Sequence, residues 1–117
     1  MAVKRIVANI AAPATTAASK FYCDVLGMQV AMDLGWIVTF AAEASAAPQI
    51  SVATQGGAGT PVPDISIEVD NFLEVHRRAV AAGYAVEYGP VVEPWGVRRF
   101  YVRDPFGRLL NILTHIG

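Results

Sequence analysis

The chain has 117 residues, 54% of them hydrophobic and 16% charged, with a net charge of −1 and a pI near 6.0. That length makes one domain with a sizeable core, and so few charges exclude a disordered chain and point to additional apolar surface, a ligand cleft or a subunit contact. The charge balance leaves no basic footprint for nucleic acid or an anionic membrane, and no apolar run approaches the roughly 20 residues of a membrane span.

In chain order, residues 4–10 alternate as a strand, with Ile6, Ala8 and Ile10 on one face and Arg5, Val7 and Asn9 on the other. Pro13 suits a first helical turn, Ala18, Phe21, Tyr22, Val25 and Leu26 form an apolar stripe, and Gly27 ends the helix. Strands are predicted over 28–33, 36–42 and 49–54. The Gly/Pro-rich stretch Gln55 to Pro63 follows as a linker, and because no helix opens after it a phosphate-cradling role is not expected. The order then repeats: a strand over 64–69, Asp70 as N-cap, and a helix with Phe72, Val75, Ala79 and Ala82 inward, ended by Gly83. Strands over 84–88, 97–103 and 108–114 complete the pattern, the last two joined by a turn at Asp104-Pro105-Phe106-Gly107.

Gly27 follows Val7 by 20 residues and Gly83 follows Asp64 by 19, so one supersecondary unit is used twice. The expected fold class is α+β: two βαβββ modules, residues 1–55 and 64–117, joined by linker 56–63 in a single domain 1–117. Strand alternation then sorts the side chains. Ile65, Ile67, Val69, Phe100, Val102, Leu110 and Ile112, with Ile6, Ala8, Ile10, Ile50 and Val52, belong against the helices. The opposite face receives Arg5, Val7, Asn9, Gln49, Ser51, Asp64, Ser66, Glu68, Arg99, Tyr101, Arg103, Asn111 and Leu113. Such a polar and aromatic mixture orients ligands in a cleft, and it also suits the wet side of an open sheet; the repeat favours the cleft.

Within that face, Arg99 and Tyr101 could hold a carboxylate or carbonyl oxygen, while a salt bridge from Arg99 to Glu68 or Asp64 is an equally good use of the guanidinium. Trp36 and Trp95 fit either the rim around a planar ligand or core packing. Cys23 is the single cysteine and reads as a packed or surface thiol in a reducing, cytoplasmic setting, and no signal-peptide pattern opens the chain. His76, beside Arg77 and Arg78, reads as a solvated helix residue, and His115 lies near the C-terminus. No Ser-His-Asp or Cys-His pattern stands out.

The segments Phe21-Tyr22-Cys23-Asp24-Val25-Leu26-Gly27-Met28 and Trp95 to Arg108, the latter containing Asp104-Pro105-Phe106-Gly107, resemble the glyoxalase/bleomycin-resistance/dioxygenase family, the vicinal oxygen chelate superfamily. The resemblance spans nearly the whole chain. It implies paired modules forming a cup-shaped cleft, usually in a homodimer, and either metal-dependent lyases, isomerases, epimerases and dioxygenases or metal-free proteins that sequester antibiotics. The family's metal-ligand positions fall on Val7, Ser51, Asp64 and Asn111. Val7 has no lone pair and Ser51 and Asn111 are neutral oxygen donors, so a catalytic divalent site with three good ligands is not expected, and no cofactor. The resulting expectation is a metal-free small-molecule-binding protein, in which Trp36, Ser51, Asp64, Ser66, Glu68, Trp95, Arg99, Tyr101 and Asn111 contact a planar or aromatic ligand, with no nucleic-acid or membrane partner. The alternatives are a family lyase, isomerase or dioxygenase using Asp64 or Glu68 as base or an altered metal site, and a structural dimer whose polar face is merely wet.

Overall fold

The apolar stripe of residues 18–26 does form a helix, but a short one. In the computed structural model, which describes residues 8, 10, 12–36, 38–42 and 54–116, α1 spans Ala18–Tyr22. Pro13 does not open it. Thr15 spends its hydroxyl on the Gly35 carbonyl at 3.0 Å, and Ala17 at the N-cap supplies no side-chain acceptor. Turns continue past Tyr22 until Met28 donates back to the Tyr22 carbonyl at 2.9 Å. The second repeat stops in the same manner, Tyr84 donating to the Ala79 carbonyl at 3.0 Å. Gly27 and Gly83, at φ +70° and +86°, are the left-handed residues both stops require.

β1 (Gln29–Asp33) and β2 (Val38–Ala41) form an antiparallel pair. The strands expected at 4–10 and 49–54, and with them Val7 and Ser51, lie outside the described residues except for Ala8, Ile10 and Thr54. The second module is described throughout: β3 (Ile65–Glu68), α2 (Phe72–Ala81), β4 (Val86–Glu93), β5 (Val97–Arg103) and β6 (Leu109–His115). Its sheet runs β3-β6-β5-β4, with β3 parallel to β6 and the other pairs antiparallel. This is the βαβββ unit, and the architecture is α+β.

Three expectations for this module are corrected. The N-cap of α2 is Asn71, not Asp70, and no side chain caps it. Ala82 is exposed beyond the end of the helix instead of inward. β4 does not end at Tyr88 but runs on to Glu93, because as the edge strand it needs no donor from Pro90, and its register shifts between Val86 and Val91 absorb the irregularity.

One core cluster joins both halves of the chain. Phe21, Tyr22, Val25 and Leu26 pack with Phe72, Val75 and Ala79 of α2 and with Phe100, Val102, Leu110 and Ile112 of the sheet. Ile65, Ile67 and Val69 sit partly buried against it, so alternation assigned the helix-facing side correctly. The Tyr22 hydroxyl donates to Asp104 Oδ2 at 2.8 Å, while Asp104 Oδ1 accepts from the Phe106 and Arg108 amides at 2.9 Å, holding the expected β5–β6 turn. Burial, reinforced by this hydrogen bond and by the Asp104 charge, pushes the Tyr22 hydroxyl far above its ordinary pKa, so it remains a donor. His76 is not simply solvated as expected: half-buried, it stands edge-on to Phe100 at 5.1 Å.

On the outer side of α2, Glu74 takes hydrogen bonds from Arg77 and Arg78. The Arg77 hydrogen bond most of all holds the carboxyl at about 2, below its ordinary 4.5, with Arg78 adding to it and partial desolvation opposing. A depressed acid contributes stability that is complete above about 4.5 and is lost as pH falls through about 2. The Glu74 carboxyl resonance should therefore titrate near 2 in an NMR pH series at low salt; a midpoint above 4 would show that the pair does not form in solution.

Candidate functional site

The face of the sheet turned away from the helices carries the polar residues, because β5 places Val97, Arg99, Tyr101 and Arg103 there while Phe100 and Val102 enter the core. At its centre is a buried ion pair. Arg99 Nε donates to Glu93 Oε2 at 2.9 Å, Nη2 lies 2.6 Å from the same oxygen, and both side chains are 4% exposed. The Tyr88 hydroxyl adds a donor to Glu93 Oε2 at 3.1 Å. The partner expected for Arg99, Glu68 or Asp64, is thus replaced by Glu93. The β4–β5 hairpin brings Glu93 to Arg99 within the same pair of strands, whereas Glu68 is two strands away.

Three aromatic rings surround the guanidinium: its carbon lies 5.0 Å from the centroids of Trp95 and Tyr101 and 5.4 Å from that of Tyr88. This is cation–π distance on every side. The remaining guanidinium hydrogens go to the chain between the modules. Arg99 Nη1 donates to the Gly56 carbonyl at 2.6 Å and to the Tyr101 hydroxyl at 2.9 Å, and Nη2 to the Gly57 carbonyl at 3.2 Å. Thr60 Oγ1 meets the Tyr101 hydroxyl at 2.8 Å. Residues 56–60 therefore form a strap laid on the sheet, closed by Gly56 N–H to Thr60 C=O at 2.8 Å and by Gln55 Oε1 accepting from Gly59 N–H at 2.9 Å. Nothing in the periodicity of a Gly-rich stretch marks it as part of a site.

The glycines make the approach possible. A Cβ on Gly57 (φ +87°) would stand 2.7 Å from Trp95, and one on Gly56 would meet the Pro61 carbonyl and come 2.5 Å from the Tyr101 hydroxyl. Gly56→Ala should therefore lift the strap and cost about 1–3 kcal/mol, the range for overfilling a packed site. Urea unfolding and Trp95 emission report it; a loss under about 0.5 kcal/mol with unchanged emission would mean that the strap is not seated.

Beside this cluster lie the other residues expected on the face. Asn111 is directly across from Tyr101 on one side and Ser66 on the other. It is buried, its Nδ2 donates to Ser66 Oγ at 3.1 Å, and its Oδ1 has no partner among the described residues. Asp64 is exposed and clips the start of β3 to β6: its Oδ2 accepts from Leu109 N–H at 2.9 Å and its own N–H donates to Leu109 C=O at 2.8 Å. Glu68 and His115, both largely exposed, meet at 2.9 Å through Oε2 and Nδ1, so His115 is the last residue of a strand and on the same side as Asn111. The sequence placed it beyond its strand, because no turn signal marks where β6 ends.

The two tryptophans are not core residues. Trp95 is 51% exposed at the β4–β5 turn and flanks Arg99, whereas Trp36 is 76% exposed in the β1–β2 turn and is not among the rings around Arg99. Arg99, Tyr101 and Trp95 are thus brought together, as are Ser66 and Asn111. Ser51 lies outside the described residues. Cys23 is a free, half-buried thiol.

Residues 6–112 match the family described as the Glyoxalase/Bleomycin resistance protein/Dioxygenase superfamily. The chain belongs to this superfamily. Solved structures show the same fold: TioX from Micromonospora sp. ML1 (20% identity, TM-score 0.65, 97% of each chain covered) and a superfamily member from Sphaerobacter thermophilus (19%, TM-score 0.67, 98% of each). A glyoxalase-related enzyme from Fulvimarina pelagi is similar as well (20%, TM-score 0.61, 97% of this chain and 88% of that one). No curated protein matches the chain.

The superfamily includes metal-dependent enzymes, and the donor set here does not fit their ion. Asp64 has one carboxylate oxygen committed to a backbone amide, Asn111 offers one neutral oxygen, and the first-half positions that the resemblance assigns are Val7 and Ser51, outside the described residues. No group of three or more His, Cys, Asp or Glu converges among the described residues. No helix among the described residues is long and apolar enough to cross a membrane.

Proposed function

We propose that the chain is a metal-independent capture protein that holds a small planar molecule against the polar face of the second sheet, in the manner of the antibiotic-sequestering branch of its superfamily. The observation that carries this reading is the state of the strongest groups on the face. Arg99 and Glu93 neutralise each other beneath three aromatic rings, and the guanidinium hydrogens are taken up by Glu93, Tyr101 and the strap. What remains suits binding: an aromatic wall at Trp95, a neutral amide at Asn111 and a hydroxyl at Ser66. Trp36 joins as a second wall across the cleft, and a homodimer in the cytoplasm completes the proposal, drawing on exposed Trp36, Leu73 and Val80 and on the lone free thiol.

Equilibrium dialysis of EDTA-treated protein against a panel of planar compounds tests the reading. Saturable binding that EDTA leaves unchanged is expected; the absence of saturable binding by any compound removes it. A catalytic reading draws on Glu68–His115, a carboxylate holding one imidazole nitrogen and leaving the other for proton transfer. Near-stoichiometric zinc, manganese, iron or nickel in protein purified without chelators would move the assignment toward an enzyme.

A further inference from the structure

At the end of the same face where β3 and β6 finish, a carboxylate holds one side of an imidazole. Glu68 Oε2 and His115 Nδ1 meet at 2.9 Å. An ionised carboxylate has no hydrogen to give, so Nδ1 carries the proton and Nε2 keeps its lone pair in the neutral ring. The two nitrogens of an imidazole point to nearly opposite sides, and with Nδ1 turned toward β3, Nε2 is turned away from it. Beyond β6 on that side is β5. His115 is directly across from Val97, with Arg99 on the diagonal, roughly 7–8 Å away by strand geometry. The Trp95 ring covers that Arg99 at 5.0 Å, and the Ile116 amide donates to the Gly96 carbonyl at 3.0 Å, fastening the end of β6 to the Trp95 loop. Both groups are open to a ligand: the His115 side chain is 64% exposed and Trp95 51%.

We propose that His115 Nε2 takes the proton of an acidic aryl hydroxyl as the ligand binds, so that the captured molecule is a planar phenol or enol held as its anion against Trp95. The proposal rests on the capture reading above and gives the Glu68–His115 pair a part in it, proton acceptance without turnover. In this step the ligand O–H bond breaks, an Nε2–H bond forms, and the oxygen keeps the electron pair. The phenolate then accepts from Nε2–H while Nδ1–H stays on Glu68, whose charge balances the imidazolium. Imidazole suits the task because it exchanges protons near neutral pH. Among the described residues, the charged groups on this side of His115 are Glu68 and, two residues beyond it, exposed Asp70; from β5 comes Arg99, which Glu93 neutralises. The two acids favour the protonated ring, and the paired Arg99 does not compete for the anion.

Titration of the full chain with 4-nitrophenol and 4-nitroanisole, alike except that a methyl group replaces the acidic proton, tests the assignment by absorbance and by quenching of tryptophan emission. Just below the pH at which free 4-nitrophenol ionises, saturating protein should raise the yellow phenolate band. The anisole should bind at least about tenfold more weakly, the scale of one hydrogen bond to a charged group. His115→Gln, a change at an exposed strand end, should remove the band and bring the two affinities together. Glu68→Gln should keep the binding but lower the phenolate fraction about threefold, the scale of an exposed ion pair. No phenolate band at saturation, equal affinities for the two probes, or a full band in His115→Gln overturns the proposal. So does an unchanged band in Glu68→Gln, since the imidazole would then act without its carboxylate. If neither probe binds, the proposal falls, and the dialysis panel decides separately whether capture stands.

Discussion

Glu93→Ala should destabilise the protein by about 3–5 kcal/mol, because it leaves the Arg99 guanidinium, 4% exposed, without its counter-charge inside the sheet. Three rings and two strap carbonyls remain around the cation, but none of them carries a full negative charge. Arg99→Met should cost at least as much as Glu93→Ala, since the carboxylate it strands keeps only the Tyr88 hydroxyl as a donor. Joining the two changes as Glu93→Leu with Arg99→Met should recover much of the loss, since a buried pair is often replaced by apolar residues at little net cost. Urea unfolding of the single and double variants measures all three. If the singles lose under 1 kcal/mol, or the double is worse than their sum, the pair is not buried as described. The same variants separate folding from capture, because the strap loses its guanidinium contacts only where Arg99 is replaced.

Phe100→Ala should cost about 3–5 kcal/mol, the range for truncating a fully buried aromatic ring. Phe100 is 0% exposed and lies where the sheet meets α2, with Phe72 at 5.5 Å and His76 at 5.1 Å in edge-to-face contact. Leu73→Ala on the same helix is the control: Leu73 is 69% exposed, and a change within about 0.5 kcal/mol is expected. Equal losses at both positions in a thermal or urea series would show that α2 packs through a different face. Binding of a planar ligand should survive Phe100→Ala at temperatures where the variant is folded, because Phe100 points away from the polar face.

Much of the second module was legible without coordinates. A pleated strand sends alternate side chains to opposite sides, so Phe100, Val102, Leu110 and Ile112 could be assigned to the core, and Arg99, Tyr101 and Asn111 to the other face, from spacing alone. Local propensity misjudged where elements end. Pro90 looks like the end of a strand, yet an edge strand tolerates it, so local propensity puts Glu93 in a loop and gives no sign of its pairing with Arg99. His115 escapes local propensity for the same kind of reason, since only the pairing with Val97 carries β6 to that residue.

By itself, the amino-acid pattern determined the α+β class, the two glycine helix stops, the helix-facing apolar set of the second module and the superfamily, because each depends on periodicity or on residues near one another in the chain. Tertiary structure alone decided which charges meet and which stay open. Arg99 binds a carboxylate six residues away and carbonyls more than 40 residues away, and Asn111 Oδ1 has no partner among the described residues. Such pairings follow from how strands and loops are stacked in space, and a contact between a glycine carbonyl and a distant guanidinium imposes no periodicity on the sequence.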